Sequence, residues 1–335
     1  MSVEAGRGGR TRRQRVFLIA NIVAGVVLAA MAIALWRDPG LAVRGEFERQ
    51  RWALGADKHA VEIDGQRVVY VELPADRADA PTVVMIHGFT GGKENWYRLA
   101  QGLRGKYRLV IPDLPGWGES ERIEGEDYGY LAQSARVDAF VAAVSKTPVT
   151  LLGHSMGGGI AALTAARAPE RIARVGLLDA AGVPFAENAF GLGVLGGDNP
   201  FAVEDAESLQ RYLETVFHDR SAIPSIPWPG NYFYIAQRRA QADYEQSVLE
   251  RIGRSGERFL PGEAAESITQ PTLLLWCAQD VVIDPSAMQA YAERMPQARQ
   301  VLLDGCGHMS LMERPGEVAQ AVVMLVERAQ PQQRG

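Results

Sequence analysis

Hydrophobic and polar positions divide the chain into three regimes. Residues 16–36 run apolar for 21 positions, broken only by Asn21. From 59 to 183 short apolar runs alternate with stretches of helical spacing, and the same alternation returns from 269 to 330. Between 184 and 268 it stops, and aromatic and apolar residues cluster instead. Runs at 60–63 and 67–73 flank Asp64-Gly65, a two-residue hairpin signal. Apolar runs at 82–86, 107–111, 149–154, 175–179, 272–277 and 300–303 read as strands of a parallel sheet, covered on both faces. Helices are predicted over 95–103, 131–144, 156–167, 286–294 and 316–328, with Asp284-Pro285 capping the fourth. Strands alternating with helices give a doubly wound, mostly parallel sheet with helices on both faces. In such sheets ligands bind outside the carboxyl ends of the strands.

The long apolar run is about 31 Å as a helix, enough to cross a bilayer core. Arg7, Arg10, Arg12, Arg13 and Arg15 precede it against a single acid, Glu4, while Trp36, Arg37 and Pro39-Gly40 end it. The positive-inside rule keeps the tail 1–15 cytoplasmic and puts the rest of the chain on the extracytoplasmic, periplasmic side of the inner membrane. A cleavable signal peptide is the competing reading, since Ala32-Ile33-Ala34 resembles a cleavage site. The apolar core exceeds the usual length of about 7–15 residues, so a retained single-pass anchor is expected. Residues 37–58 mix charge with Leu41, Val43, Phe47, Trp52 and Leu54. They read as a juxtamembrane amphipathic helix lying on lipid or on a second copy of the chain, or as a solvated linker helix. The first of these would allow a homodimer through the N-terminal helix.

Composition narrows the class. Of 335 residues, 47% are hydrophobic and 22% charged. About 280 remain beyond the anchor and linker, which suits one large α/β domain with an insertion. A net charge of −5 gives no reason to expect nucleic acid. The two cysteines, Cys277 and Cys306, sit in no zinc spacing, so no metal site is expected. Both fall near the ends of neighbouring predicted strands. They could pair in an oxidising compartment, but buried free thiols are the plainer expectation. The insertion 184–268 carries Phe185, Phe190, Phe201 and Tyr232-Phe233-Tyr234. It reads as a cap roofing an apolar pocket, with its glycine-rich stretch 190–197 as the mobile lid piece.

Candidate chemistry centres on Gly153-His154-Ser155-Met156-Gly157-Gly158, a strand, a sharp turn and a helix with serine at the apex. A serine hydroxyl is a weak nucleophile and needs a base and an orienting acid. His308, on the loop after the last strand, is the candidate base. Asp280, at the end of a strand 28 positions earlier, is the candidate acid. Asp179 and Asp284 are its rivals, the latter accounted for as a helix cap. His59 and His218 lie away from strand ends, His154 packs inside the turn, and His87 shapes the next loop by hydrogen bonding. Oxyanion donors are expected at the Met156 and Phe89 backbone N–H groups. No organic cofactor is required.

Four motifs stand together: His87-Gly88-Phe89-Thr90-Gly91-Gly92, Asp113-Leu114-Pro115-Gly116-Trp117-Gly118-Glu119-Ser120, the serine turn, and Gly307-His308 followed by Glu313-Arg314-Pro315. With Asp280 between the last two, residues 60–330 resemble the α/β-hydrolase superfamily. The anchor, the His-Gly-Phe-Thr loop and Lys93 with Trp96 resemble a narrower group, the membrane-anchored monoacylglycerol lipases and bacterial membrane-bound lipases and phospholipases A1. The resemblance implies an α/β-hydrolase fold with an inserted cap and hydrolysis of lipid acyl esters near a bilayer. It implies Ser155, Asp280 and His308 as the triad and Phe89 and Met156 as oxyanion donors. Thioester or carbon–carbon bond hydrolysis is the alternative on the same fold, and a non-catalytic membrane-tethered binding module is the alternative of another class.

Overall fold

The computed structural model describes residues 11–38, 40–224 and 230–327. The expectations for Glu4, Arg7, Arg10, Pro39 and the last residue of the final helix fall outside them.

Helix α1 (Arg12–Arg37) covers the whole apolar run, and its side chains are exposed throughout. Its 26 residues span about 39 Å. The one polar interruption is satisfied within the helix, since Asn21 Nδ2 donates to Phe17 O at 2.8 Å. Among the described residues α1 is the one helix long and apolar enough to cross a membrane. Helix α2 (Gly40–Leu54) follows. It is neither wholly solvated nor detached from the globular part: Leu54 is buried, and the helix packs against two others, α3 (Tyr97–Leu103) and α8 (Gly230–Ala240). Trp52 stays 75% exposed.

The sheet has eight strands: β1 (Asp57–Ile63), β2 (Gln66–Leu73), β3 (Thr82–Ile86), β4 (Arg108–Pro112), β5 (Val149–His154), β6 (Ile172–Leu178), β7 (Thr272–Cys277) and β8 (Arg299–Leu303). Their spatial order is β1-β2-β4-β3-β5-β6-β7-β8. β1 and β2 form an antiparallel hairpin through Asp64 and Gly65, both at positive φ, as a tight Asp-Gly turn demands. β2 joins β4 antiparallel, and β4 through β8 run parallel. β3, β5 and β7 bury every residue, whereas β8 at the edge buries only Leu303. That gradient follows from position: central strands are covered by helices on both faces. The covering helices are α3, α4 (Tyr130–Val144), α5 (Met156–Arg167), α11 (Ser286–Arg294) and α13 (Pro315–Glu327), with a short α12 (Ser310–Glu313) before the last. The chain steps from β3 to β4 on one side and then crosses to β5 on the other. Strand order therefore reverses between β3 and β5, the place where such sheets open a ligand crevice.

Between β6 and β7 the chain makes α6 (Ala189–Gly196), α7 (Ala206–Val216), α8, α9 (Ala242–Arg254) and α10 (Leu260–Ala265). A buried Arg238–Glu245 pair at 2.9 Å holds α8 to α9, and Arg238 also donates to Phe201 O. The glycine-rich stretch 190–197 is largely a capped helix rather than an irregular loop. Asn188 accepts from Gly191 N at its start, and Gly197 ends it at φ 106°. Tyr212 and Thr90 share a hydroxyl–hydroxyl hydrogen bond of 2.8 Å, which fastens this region to the loop after β3.

The two cysteines are not free thiols, contrary to the sequence expectation. Cys277 ends β7, Cys306 follows β8, and the two are joined in a disulfide with Cα atoms 5.2 Å apart. Parallel neighbours in register bring the two strand ends together, the arrangement in which the two cysteines can pair. The bond closes a loop of 29 residues. Replacing both cysteines with alanine is expected to lower unfolding stability by about 3–4 kcal/mol. Denaturant titration of the detergent-solubilised protein measures it, and unchanged midpoints would show that this closure carries no stability.

Candidate active site

The turn after β5 forces an unusual backbone. Ser155 sits at φ 55° and ψ −122°. A Cβ on Gly153 would lie 2.1 Å from Gly157 O, and one on Gly157 would lie 2.4 Å from both Ile86 O and His87 O. Glycine is therefore required at both positions for the turn to press against the end of β3. Ser155 N donates to Leu178 O at 3.0 Å, and Ser155 O accepts from Gly158, Gly159 and Ala181 N. These bonds fix the serine at the carboxyl edge of the sheet.

The structure brings Ser155, His308 and Asp280 into one hydrogen-bonded line. His308 Nε2 lies 2.9 Å from Ser155 Oγ, and His308 Nδ1 lies 2.8 Å from Asp280 Oδ2. Asp280 Oδ1 accepts from Val282 N at 2.8 Å and Ile283 N at 3.0 Å. All three residues are buried. Burial lowers the His308 pKa to about 3, partly opposed by the charge of Glu313, so the imidazole stays neutral. Burial pushes the Asp280 carboxyl upward, and the Ile283 and Val282 N–H groups pull it back toward the anion. An N–H on His308 Nδ1 facing this carboxylate leaves Nε2 with a lone pair toward the serine hydroxyl.

Phe89 and Met156 both line the pocket that contains Ser155. Among the described residues neither backbone N–H donates to another group of the chain. The Phe89 loop is anchored from below. Trp117 Nε1 donates to Phe89 O, and Leu114 N donates to His87 Nε2 at 2.9 Å, with His87 Nδ1 on Gly88 O. Buried Lys93 pairs with Asp113 at 2.7 Å and with Glu94 at 2.8 Å. Asp113 also accepts from Lys93 N and Glu119 N, tying the two motif loops together.

Several contacts escape sequence reasoning. His154 is more than packing within the turn: its Nε2 donates to His308 O at 2.7 Å, holding the histidine's own backbone. Burial depresses the His154 pKa to about 3, and the neighbouring His308 adds to the effect, so the group stays neutral. Glu313 accepts from Gly307 N, His218 N and Asp219 N, joining the His308 loop to the segment after α7. Gln279 Oε1 accepts from Gly305 N and Cys306 N, so the Asp280 loop grips the His308 loop beside the disulfide. Asp179, the rival acid, accepts from Ser310 Oγ and from Cys277 N and makes no hydrogen bond to His308. Asp284 accepts from Ser286 N at 2.9 Å, the cap expected of it. The motif spacing around Glu313-Arg314-Pro315 was the available signal for Glu313, whereas nothing in the sequence marks His154 as reaching the next loop.

A pocket opens above Ser155. Its walls are apolar, with Phe185, Phe190, Val194 and Phe201 from the segment after β6 and Leu249 and Ile252 from α9. An arm of hydrocarbon fits such a lining. The described residues hold no cluster of His, Cys, Asp and Glu able to bind a metal ion.

Residues 81–315 match the family described as the alpha/beta hydrolase fold. Lipase 1 of Psychrobacter immobilis is 30% identical over 82% of this chain and 84% of its own. Monoacylglycerol lipase ABHD6 of Homo sapiens is 25% identical over 92% of this chain and 93% of its own. Among solved structures, a membrane phospholipase A described as a bacterial virulence factor superposes with a TM-score of 0.82 at 32% identity, covering 94% of this chain and all of that one. By its sheet order, its serine turn and these matches, the chain belongs to the α/β-hydrolase fold family.

Proposed function

We propose that the protein is a membrane-anchored serine hydrolase that cleaves the carboxylic esters of lipids through an acyl-enzyme on Ser155. The observation that carries this reading is the line from Asp280 through His308 to Ser155, set at the floor of an apolar pocket. His308 Nε2 takes the Ser155 proton as Oγ attacks an ester carbonyl. Asp280 holds the Nδ1–H and stabilises the imidazolium that forms. The Phe89 and Met156 N–H groups, free of partners within the described chain, receive the oxyanion. His308 then protonates the departing alcohol, and water, activated by the same imidazole, releases the acid.

The lipase, monoacylglycerol lipase and phospholipase A relatives support lipid esters as the substrate class, with monoacylglycerol, lysophospholipid and phospholipid as candidates. Helix α1 and the membrane phospholipase relative support anchoring at the inner membrane. Arg12, Arg13 and Arg15 at the start of α1 support a cytoplasmic N-terminus. The Cys277–Cys306 disulfide supports a catalytic domain on the oxidising, periplasmic side.

Ser155→Ala is expected to abolish ester hydrolysis and fluorophosphonate labelling with little change in melting temperature. Full hydrolysis by that variant would overturn the proposal. On acidification kcat/KM is expected to fall with an apparent pKa below 6.5, because burial keeps His308 neutral and base-competent to lower pH than a free imidazole. A pH profile with its acid limb at or above 6.5 contradicts that burial effect. Deleting residues 1–36 should move the protein from the membrane to the soluble fraction. Membrane recovery of the truncated protein would place the anchor elsewhere.

A further inference from the structure

The pocket above Ser155 is apolar on nearly every side, which makes its exceptions informative. Among the described residues, Arg258 and Tyr130 are the only ones with polar side chains that line it besides Ser155. Arg258 lies half-buried in the turn between α9 and α10, with its guanidinium 4.6 Å from the Phe259 ring centre. Among the described residues Arg258 has no ion pair and no side-chain hydrogen bond. The adjacent carboxylate is already taken: Glu257 pairs with Arg251 at 2.8 Å and accepts from Leu131 N. Burial pushes the Arg258 pKa down, with Tyr130 opposing. Tyr130 lies within reach of the Arg258 charge, and its hydroxyl has no hydrogen-bond partner among the described residues.

A cation drawn out of water among apolar side chains, with no counter-charge, lowers stability. At a pocket wall the missing counter-charge can arrive with a ligand, whose anion then makes charge-assisted hydrogen bonds. We infer that Arg258, with the Tyr130 hydroxyl, is an anion-binding subsite of the pocket, and that the preferred ester carries a phosphate or carboxylate on the arm reaching it. The word ester rests on the reading of Ser155 given above, whereas the anion site itself does not. The anion has two sources: the phosphate of a glycerophospholipid head group, or a carboxylate at the far end of an acyl arm.

The test begins with binding, using the full-length protein in detergent and titrating decyl phosphate against decanol by calorimetry. Wild type is expected to bind the phosphate roughly tenfold or more tightly than the alcohol, the scale of hydrogen bonds to a charged group. Arg258→Gln should erase that preference, and Arg258→Lys should keep most of it. Equal affinity for the two ligands in wild type, or an unchanged preference in Arg258→Gln, overturns the inference. Hydrolysis then separates the sources. The pair 1-decanoylglycerol 3-phosphate and 1-decanoylglycerol reports a head-group phosphate. The pair mono-p-nitrophenyl sebacate and p-nitrophenyl decanoate reports an acyl-arm carboxylate. In one pair Arg258→Gln should raise KM for the anionic member roughly tenfold and leave the neutral member unchanged. Equal losses on charged and neutral members of both pairs overturn the inference. If decyl phosphate binds through Arg258 and none of the esters is cleaved, the hydrolase reading falls and the anion site stands.

Discussion

The backbone of Ser155 is the constraint on which the rest of the site depends. A non-glycine residue at φ 55° and ψ −122° is strained by about 1–3 kcal/mol and persists only where its surroundings over-determine it. Here they do. The residue's N–H and C=O are both bonded to the end of β6 and the segment after it, through Leu178 and Ala181. Gly157 is pressed onto the carbonyls of Ile86 and His87, so the turn cannot relax without separating β5 from β3. The same close approach sets the loop after β3 beside the serine, and with it the proposed oxyanion donor at Phe89. One strained residue thus fixes the distance between nucleophile and oxyanion site.

The elements most legible in the sequence were those whose burial is uniform. β3, β5 and β7 are buried at every position, so a continuous apolar run marks them from end to end. β1 begins with four exposed residues, Asp57 to Ala60, of which the first three are polar, and the expected strand starts only at Ala60. β6 begins at Ile172, ahead of the predicted 175, because Ala173 and Arg174 are only partly buried and interrupt the run. The residues proposed to react were legible because this fold brings its strand ends to one edge. What supports them was not. The grip of His154 on the His308 carbonyl and the His218 and Asp219 N–H groups on Glu313 each join segments far apart in the chain. Periodicity describes an element's own faces and carries no record of which loop it will meet.

Two buried carboxylates, Asp179 and Asp280, end the neighbouring strands β6 and β7, and chain position alone left either as the partner of His308. The loops decide between them. Asp280 accepts two backbone N–H groups of its own turn on Oδ1, which leaves Oδ2 free to face the imidazole. Asp179 is engaged on both oxygens, by Cys277 N and by Ser310 Oγ. Burial and the nearby Asp280 push its carboxyl upward, so two adjacent anions are avoided in a dry site. Asp179 therefore serves as a tie between β7 and the helix after His308. Its φ of 45° marks a second tight turn at the same sheet edge.

The region that roofs the pocket is mechanically joined to the loop that carries the proposed oxyanion donor. Phe89 packs on Phe201, Phe201 on Phe190, and Tyr212 shares a hydrogen bond with Thr90. Below, Trp117 holds the Phe89 carbonyl, and the buried Lys93–Asp113 pair holds the loop's far end. Breaking a buried pair exposes an uncompensated charge, so this lower anchor resists displacement far more than an aromatic contact does. Above, the loop meets the roof through ring contacts and the Tyr212–Thr90 hydroxyl pair. The loop that carries Phe89 is therefore held more firmly from below, by a buried ion pair, than from the roof, by ring contacts and one hydroxyl pair.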